Sequence, residues 1–232
     1  MSQPGTAVRR SRNALRNDAG HLPPRVLSRS PGLVNLLAAL LSVALLATPR
    51  TALAARYTLI GWNNLGMHCM DGDYSVLSLL PPYNTIHAQL VSPTGALIDD
   101  PSAAGITVTY RAVADPSGSI NTTSLNKTNF WMHVDELFGA SLSVNAGLAG
   151  FDMPGAPGAS RAMKWDATQH WFYAEGIPIT PYDDQGRKNY YPMMRLEARN
   201  AAGTLLASTD IVLPVSDEMD CSACHSATSG PA

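Results

Sequence analysis

Short runs of β-branched, aromatic and aliphatic residues, separated by turn-forming residues, dominate the chain after residue 55. The turns include Ser92–Gly95, Asp115–Gly118 and Asn200–Gly203, which are rich in Gly, Pro, Asn and Asp. The predicted strands are Tyr57–Trp62, His87–Val91, Ala96–Ile98, Ile106–Val113, Trp171–Ala174, Tyr191–Arg199 and Leu205–Val212. Many short strands with regular turns are typical of two-layer antiparallel folds. The sequence therefore predicts a mainly β domain, an immunoglobulin- or fibronectin-like β-sandwich.

One segment departs from this strand pattern and has the spacing of a helix. Its apolar positions, Phe130, Val134, Leu137 and Phe138, share one helical face. Thr128 or Asn129 can cap the start, and Gly139 can end it. We therefore expect one short helix inserted in the β domain, followed by a Gly- and Pro-rich loop at 146–160.

The first 54 residues have the organisation of a signal peptide. A basic, polar region at 1–32 precedes the apolar run Leu33–Ala47, and Ala52 and Ala54 occupy the −3 and −1 positions of a cleavage site. The apolar run is short for a membrane span, and no cysteine follows it to carry a lipid. We expect cleavage after Ala54, export, and a periplasmic, cell-surface or secreted bacterial protein with no membrane span after signal removal.

Charge is distributed unevenly between the two parts. Residues 1–54 carry seven arginines and one aspartate, whereas the remaining 178 residues carry 9 basic and 17 acidic side chains, a net charge of −8. Nucleic acids and anionic lipids both require a basic surface. The mature chain, long enough for one domain with a core, is therefore not expected to bind nucleic acid.

The most specific motif lies near the C-terminus. Cys221-Ser222-Ala223-Cys224-His225 has the Cys-x-x-Cys-His spacing on which haem c is attached. Two thiols three positions apart add to the two vinyl groups of one porphyrin, and the adjacent His225 supplies an axial iron ligand. The sequence thus predicts a signal peptide at 1–54, a β-sandwich at 55–216 and a C-terminal haem-attachment segment at 217–232.

Two other interpretations of the cysteine pair are open. In an oxidising compartment Cys221 and Cys224 can form a disulfide. A zinc site would require further ligands at matching spacing, and the sequence has no second Cys-x-x-Cys and no His-x-x-x-His. The motifs of hydrolases and phosphate-binding loops are also absent from the sequence.

A second unusual stretch, GWNNLGMHCMDGDY, covers residues 61–74. If its glycines place His68 and Cys69 in a loop, the two side chains could join His87 in a metal site of the kind that suits copper. In a strand they would point to opposite faces. Cys69 as a small buried hydrophobe or as a disulfide partner is the alternative. His68 is also the leading candidate for the sixth ligand of the haem iron, ahead of His87, His133 and His170.

Two acidic segments are not expected to bind metal. The segment that begins at Asp71 does not match the EF-hand pattern, because Val76 occupies the position of the turn glycine and Pro82 that of the bidentate glutamate. Asp183–Gly186 is predicted to be a solvated hairpin tip.

Three segments carry a resemblance to a known class of proteins. Leu59–Leu90, Thr128–Trp131, and Leu213–Ser216 followed by the Cys-x-x-Cys-His motif resemble the front region of large, poorly characterised bacterial multihaem cytochromes. The likeness covers nearly the whole mature chain. It implies periplasmic or cell-surface electron transfer and further haem motifs downstream, whereas this chain has one such motif.

These observations lead to one functional expectation and two alternatives. We expect an exported c-type cytochrome with one covalent haem c, or the front part of a multihaem one, that passes single electrons to a redox partner protein with a basic docking face. The first alternative is a haem-dependent redox enzyme with an open iron position. The second is a haem-free secreted β-sandwich binding module with a Cys221–Cys224 disulfide.

Overall fold

The computed structural model describes residues 56–64, 66–75 and 79–219, and this part of the chain is mainly β-structure with one α-helix. The strands are β1 (Thr58–Asn63), β2 (His68–Asp71), β3 (Asn84–Val91), β4 (Thr107–Val113), β5 (Arg161–Ala162), β6 (Lys164–Asp166), β7 (Trp171–Ile177), β8 (Met193–Arg199), β9 (Leu205–Val212) and β10 (Val215–Met219); the helix is α1 (Phe130–Phe138). The predictions of a mainly β fold and of one short helix are confirmed. The predicted signal peptide at 1–54 lies outside the described residues.

The strands form two four-stranded sheets and one separate pair. The first sheet has the order β1-β3-β7-β6 and the second the order β5-β4-β8-β9. Neighbouring strands in both sheets are antiparallel. The third element is a parallel pairing of β2 with β10. This pairing joins segments from the two ends of the described chain.

Strict alternation of side chains builds the core. In β4 and β8 every second residue is buried, as expected for strands with one covered face. The buried residues of both four-stranded sheets belong to one apolar cluster, which includes Ile86, Leu90, Val108, Tyr110, Phe172, Ala174, Met194, Leu196 and Ile211. Burying one such large aliphatic side chain contributes about 1.5–3 kcal/mol.

The first sheet packs closely against the second at Gly61 on β1. A Cβ atom at this position would lie 2.4 Å from Cδ1 of Leu196 on β8 and 3.0 Å from Cγ2 of Ile211 on β9. Both distances are shorter than van der Waals contact, so any larger residue would displace the buried leucine. The absence of a side chain at Gly61 therefore permits this sheet contact.

Helix α1 packs through a narrower face than its sequence pattern suggests. Phe130 and Val134 are buried, whereas Leu137 and Phe138 are partly exposed. Gly139 ends the helix in the left-handed conformation, at φ 63°, and its N–H donates to the Asp135 carbonyl at 2.9 Å. The predicted helix terminator is thus in place.

Two segments differ from the sequence-based expectation. His68 and Cys69 were expected in a glycine-rich loop, but they belong to β2. The strand β10 crosses the predicted domain boundary at residue 216 and continues to Met219. The common reason is the parallel pairing of β2 with β10, which satisfies main-chain groups of both segments and depends on residues far apart in sequence.

We predict that Gly61→Ala destabilises the protein by about 1–3 kcal/mol, because the added methyl group overpacks the contact with Leu196 and Ile211. The free energy of unfolding in urea would measure this. Thr58→Ala, at an exposed position of the same strand, is the control and should change stability by less than about 0.5 kcal/mol. Equal stability of Gly61→Ala and the wild type would contradict close packing here.

Candidate functional site

The predicted haem-attachment residues Cys221, Cys224 and His225 lie outside the described residues. The described chain ends at Met219, the last residue of β10, which is paired with Asp71. Upstream in the same pairing, Val215 lies opposite His68. The last described residue before the motif therefore lies at the Asp71 end of β2.

Main-chain hydrogen bonds hold the start of β10 from two directions. The carbonyl of Pro214 accepts from the N–H of His68 at 3.1 Å and from the side-chain amide of Asn84 at 2.8 Å. The N–H of Val215 donates to the carbonyl of Tyr190 at 3.0 Å. β10 is thus fixed between β2 and the segment that leads into β8.

A charged contact holds β10 further along. The carboxylate of Asp217 is 2.7 Å from Nζ of Lys188 and accepts a hydrogen bond from the hydroxyl of Tyr182. Burial raises the pKa of Asp217, but these two hydrogen bonds outweigh it and the net pKa lies below its ordinary value. The hairpin at 182–188 and β10 are therefore linked by an ionised carboxylate.

The structure places His68 and Cys69 side by side on β2. Because successive side chains of a strand point to opposite faces, the two cannot converge on one metal ion, which corrects the predicted loop arrangement. Nε2 of His68 donates to the carbonyl of Pro81 at 3.0 Å, and its ring lies against Tyr83. Cys69 is a partly buried free thiol paired in register with Ser216.

His87 lies apart from that pair, on β3 in the first sheet. Its ring is stacked on Trp171 with centroids 4.3 Å apart, and it contacts Trp62 edge-on at 5.7 Å. Within residues 56–64, 66–75 and 79–219, no three His, Cys, Asp or Glu side chains are grouped closely enough to hold a metal ion. His68, Cys69 and His87 are therefore not brought together as a ligand set.

A groove of about 300 Å³ opens beside His87. It is lined by Asn64, Thr85, His87, Asp166, Trp171, Tyr173 and Glu175. Burial lowers the pKa of His87, while the carboxylates of Glu175 and Asp166 act in the opposite direction. Both acids are thus close enough to His87 to influence its charge. This groove was not predicted from the sequence, although Trp171, Tyr173 and Glu175 stand at alternating positions that predict one shared face.

His133 lies on α1, close enough to Asp73 in the loop after β2 to lower the pKa of that carboxyl. The N-cap residue Asn129 binds this loop: its amide donates to Asp73 at 2.6 Å, and its carbonyl oxygen accepts from the N–H of Tyr74 at 3.0 Å. Asp73 also interacts electrostatically with His133, and hydrogen bonds from Ser75 and Asn129 keep the pKa of Asp73 low. The Asp71–Ser75 segment therefore connects the end of β2 to α1.

The acidic segment Asp183–Gly186 is the solvated hairpin tip that its sequence predicts at residues 184–186, which are exposed, but not at Asp183, which is buried. Asp183 is 1% exposed and accepts hydrogen bonds from Ser119 at 3.1 Å and from the main chain and guanidinium of Arg187. Burial raises the pKa of Asp183, but these hydrogen bonds together with one from Gln185 lower it to about 2. The ionised carboxylate therefore ties this hairpin to the turn at 115–119.

The neighbouring Asp184 makes a second link of the same kind. Its carboxylate accepts from the main chain and hydroxyl of Thr122 and lies 2.9 Å from Nζ of Lys127. Lys127 and Thr122 are 57 and 62 residues away in the chain, so no local sequence pattern predicts these contacts. The carboxylates of Asp183 and Asp184 therefore stabilise the fold.

Comparison with protein-family models, with curated proteins and with solved structures finds no match to this chain. No helix in the described part of the chain is long and apolar enough to cross a membrane.

We predict that Asp183→Asn destabilises the protein by about 1–3 kcal/mol, since the buried network loses its negative charge and one of its two acceptor oxygens. Because the folded-state pKa is depressed from 3.8 to about 2, the stabilisation is present above the ordinary pKa and is lost as pH falls towards 2. Urea denaturation from pH 7 down to pH 2 should therefore show a smaller pH dependence for Asp183→Asn than for the wild type.

The control for this substitution is Asp210→Asn, which removes the partly exposed ion pair with Arg195. Its expected cost is below about 1 kcal/mol. Equal costs for the two variants would contradict a structural role for the buried carboxylate.

Proposed function

We propose that this chain is an exported c-type cytochrome that carries one covalent haem for one-electron transfer. The observation that carries the proposal is the donor set: two thiols, Cys221 and Cys224, at thioether spacing and an adjacent imidazole, His225. When bound, the haem supplies the one-electron chemistry of its iron. The protein supplies the attachment, the axial imidazole and the surroundings of the group.

The anchoring of β10 supports this assignment. Cys221 follows Met219 by two residues, and consecutive Cα atoms are about 3.8 Å apart, so the first attachment cysteine starts within about 8 Å of the end of β10. The bonds to β2, Tyr190 and Lys188 hold this strand against the domain. A haem attached at this point would be kept near the Asp71 end of β2.

The proposed scaffold is an immunoglobulin- or fibronectin-like sandwich. Two antiparallel four-stranded sheets whose buried residues share one core support it. The parallel β2–β10 pair is an addition to the antiparallel sheets that such a scaffold contains.

The proposed location and partner rest on the sequence. The signal-peptide pattern at 1–54 supports export to the periplasm or cell surface, where covalent haem attachment takes place. The net charge of −8 on the mature chain supports a redox partner with a basic docking face. Association with such a partner is expected to weaken with added salt.

Contacts within the domain favour His133 over His68 as the second axial ligand of the haem. His68 lies opposite Val215, six residues before Cys221, and its Nε2 is already bonded to Pro81. His133 lies close to Asp73 in the loop that begins at Asp71, where β10 ends, and none of the hydrogen bonds found in the described part of the chain uses its ring. We therefore propose His133 for this role.

Apolar residues beside His133 suit the cover that a porphyrin needs. Leu137 lies one helical turn after His133 and is 39% exposed. Leu79 is 65% exposed, and its N–H donates to the carboxylate of Asp71 at 2.7 Å. These two exposed leucines, one on α1 and one bonded to the end of β2, support haem docking in this part of the domain.

We predict that protein produced in a host with cytochrome c maturation machinery gains the mass of one haem and shows Soret absorption. Cys221→Ala with Cys224→Ala should remove the covalent haem, because no thioether can form, whereas Cys69→Ser should retain it. Intact-mass spectrometry and the pyridine haemochrome spectrum measure this. A colourless protein that has lost two hydrogens would overturn the proposal and favour the disulfide-containing binding module.

We predict that His133→Ala converts a six-coordinate low-spin haem into a high-spin form, while His68→Ala leaves it low-spin. Electron paramagnetic resonance and near-infrared magnetic circular dichroism report the axial ligands, and circular dichroism checks the fold. The reverse result would assign His68. A wild-type protein that is already five-coordinate and high-spin would favour the haem enzyme with an open iron position.

A further inference from the structure

The outer face of the first sheet carries an aromatic, acidic groove that the proposed cytochrome function does not use. On β7, Trp171, Tyr173 and Glu175 alternate with the buried Phe172 and Ala174, so all three share the opposite face of the strand. Tyr173 pairs with His87 on β3, and His87 pairs with Trp62 on β1. The rings therefore form a row across three neighbouring strands.

The row is held in place by ring contacts. The imidazole of His87 is nearly parallel to the Trp171 indole, at an interplanar angle of 20°, and Trp62 meets both rings edge-on. Aromatic contacts of this kind each add about 0.5–1.5 kcal/mol beyond burial. The wall of the groove is thus preformed.

Two carboxylates reach the groove from different strands. Asp166 comes from β6, and one of its oxygens accepts from the N–H groups of Thr168 and Gln169. Glu175 comes from β7, and one of its oxygens accepts from the hydroxyl of Tyr83 at 2.8 Å. Each acid keeps its other oxygen for a further donor.

No cation of the described chain neutralises these acids. The residues that line the groove include no Lys or Arg, and none of the ion pairs found in the described part involves Asp166 or Glu175. Lys164, the nearest basic residue along β6, extends over the ring of Phe151 instead, at 4.8 Å. By contrast, Asp183, Asp184 and Asp217 each have a basic partner.

We propose that this groove binds an organic cation, an ammonium or guanidinium group, through Asp166, Glu175 and the faces of the surrounding rings. Two carboxylates without a countercharge favour a cation, and aromatic faces attract one at short range. Charge-assisted hydrogen bonds from a guanidinium to the two free oxygens give direction to the contact. A volume of about 300 Å³ accommodates a small molecule or one long side chain. All residues of the groove belong to the described part of the chain, and cation binding there does not require the haem.

The test uses the mature chain with arginine amide as probe and citrulline amide as its neutral isostere. Tryptophan fluorescence and two-dimensional NMR of the indole N–H groups follow binding. Arginine amide should shift the Trp171 signal and bind at least tenfold more tightly than citrulline amide. Equal binding of the two, or no binding of arginine amide, would overturn the proposal.

Variants distinguish binding in the groove from attraction by the net negative charge of the chain. Asp166→Asn with Glu175→Gln should weaken arginine amide binding about tenfold or more, since each carboxylate–guanidinium ion pair is replaced by a hydrogen bond to an uncharged amide. The matched control is Asp135→Asn with Glu136→Gln, which removes the same charges from the exposed side of α1. If the double variant does not fold, binding of arginine amide is measured with the single variant Glu175→Gln instead. Equal weakening by both pairs would assign the effect to net charge and overturn the site.

A capped Gly-Arg-Gly peptide identifies the source of the cation. Tighter binding of the peptide than of arginine amide, by tenfold or more, indicates the side chain of a partner protein. Equal or weaker binding of the peptide indicates a free small cation. Both results support the groove as a cation site.

Discussion

The parallel hydrogen bonding of β10 to β2 joins segments that are almost 150 residues apart in the chain, and the arrangement of the C-terminal part of the domain depends on it. The pair places Ser216 beside Cys69 and Met219 beside Asp71. Asp71 also accepts hydrogen bonds from the main-chain N–H groups of Leu79 and Leu80, so the end of β2 also holds the segment that leads into β3. A loop that could have held a metal ion becomes instead a support for the strand that precedes the cysteine motif.

Charged residues of the described domain fall into two groups with different physical roles. Asp183 and Asp184 are surrounded by donors from distant segments, so their charges stabilise the fold. Asp166 and Glu175 have only local or single neutral partners and face an open groove. Hydrogen-bond partners separate the two groups, because both oxygens of Asp183 and of Asp184 already accept hydrogen bonds. Asp166 and Glu175 each use one oxygen in this way and keep the other for a ligand.

Much of the secondary structure could be predicted from local patterns. Leu205–Val212 has the predicted bounds, and the other long strands differ by a few residues at their ends. These segments succeed because period-two alternation and turn residues are local properties. The prediction failed at His68 and Cys69, where nearby glycines suggested a loop, because the partner strand lies at the far end of the chain. It failed at Asp183 for the same reason, since Ser119 is 64 residues away.

The sequence by itself determined the Cys-x-x-Cys-His spacing, the segments with strand periodicity and the excess of acidic residues after residue 54. These are properties of residue type and of neighbours a few positions apart. Only the tertiary structure decided which histidine stacks on Trp171, which aspartates are buried, and which carboxylates remain open to a ligand. Those outcomes depend on burial and on contacts between strands distant in sequence, which no local pattern contains.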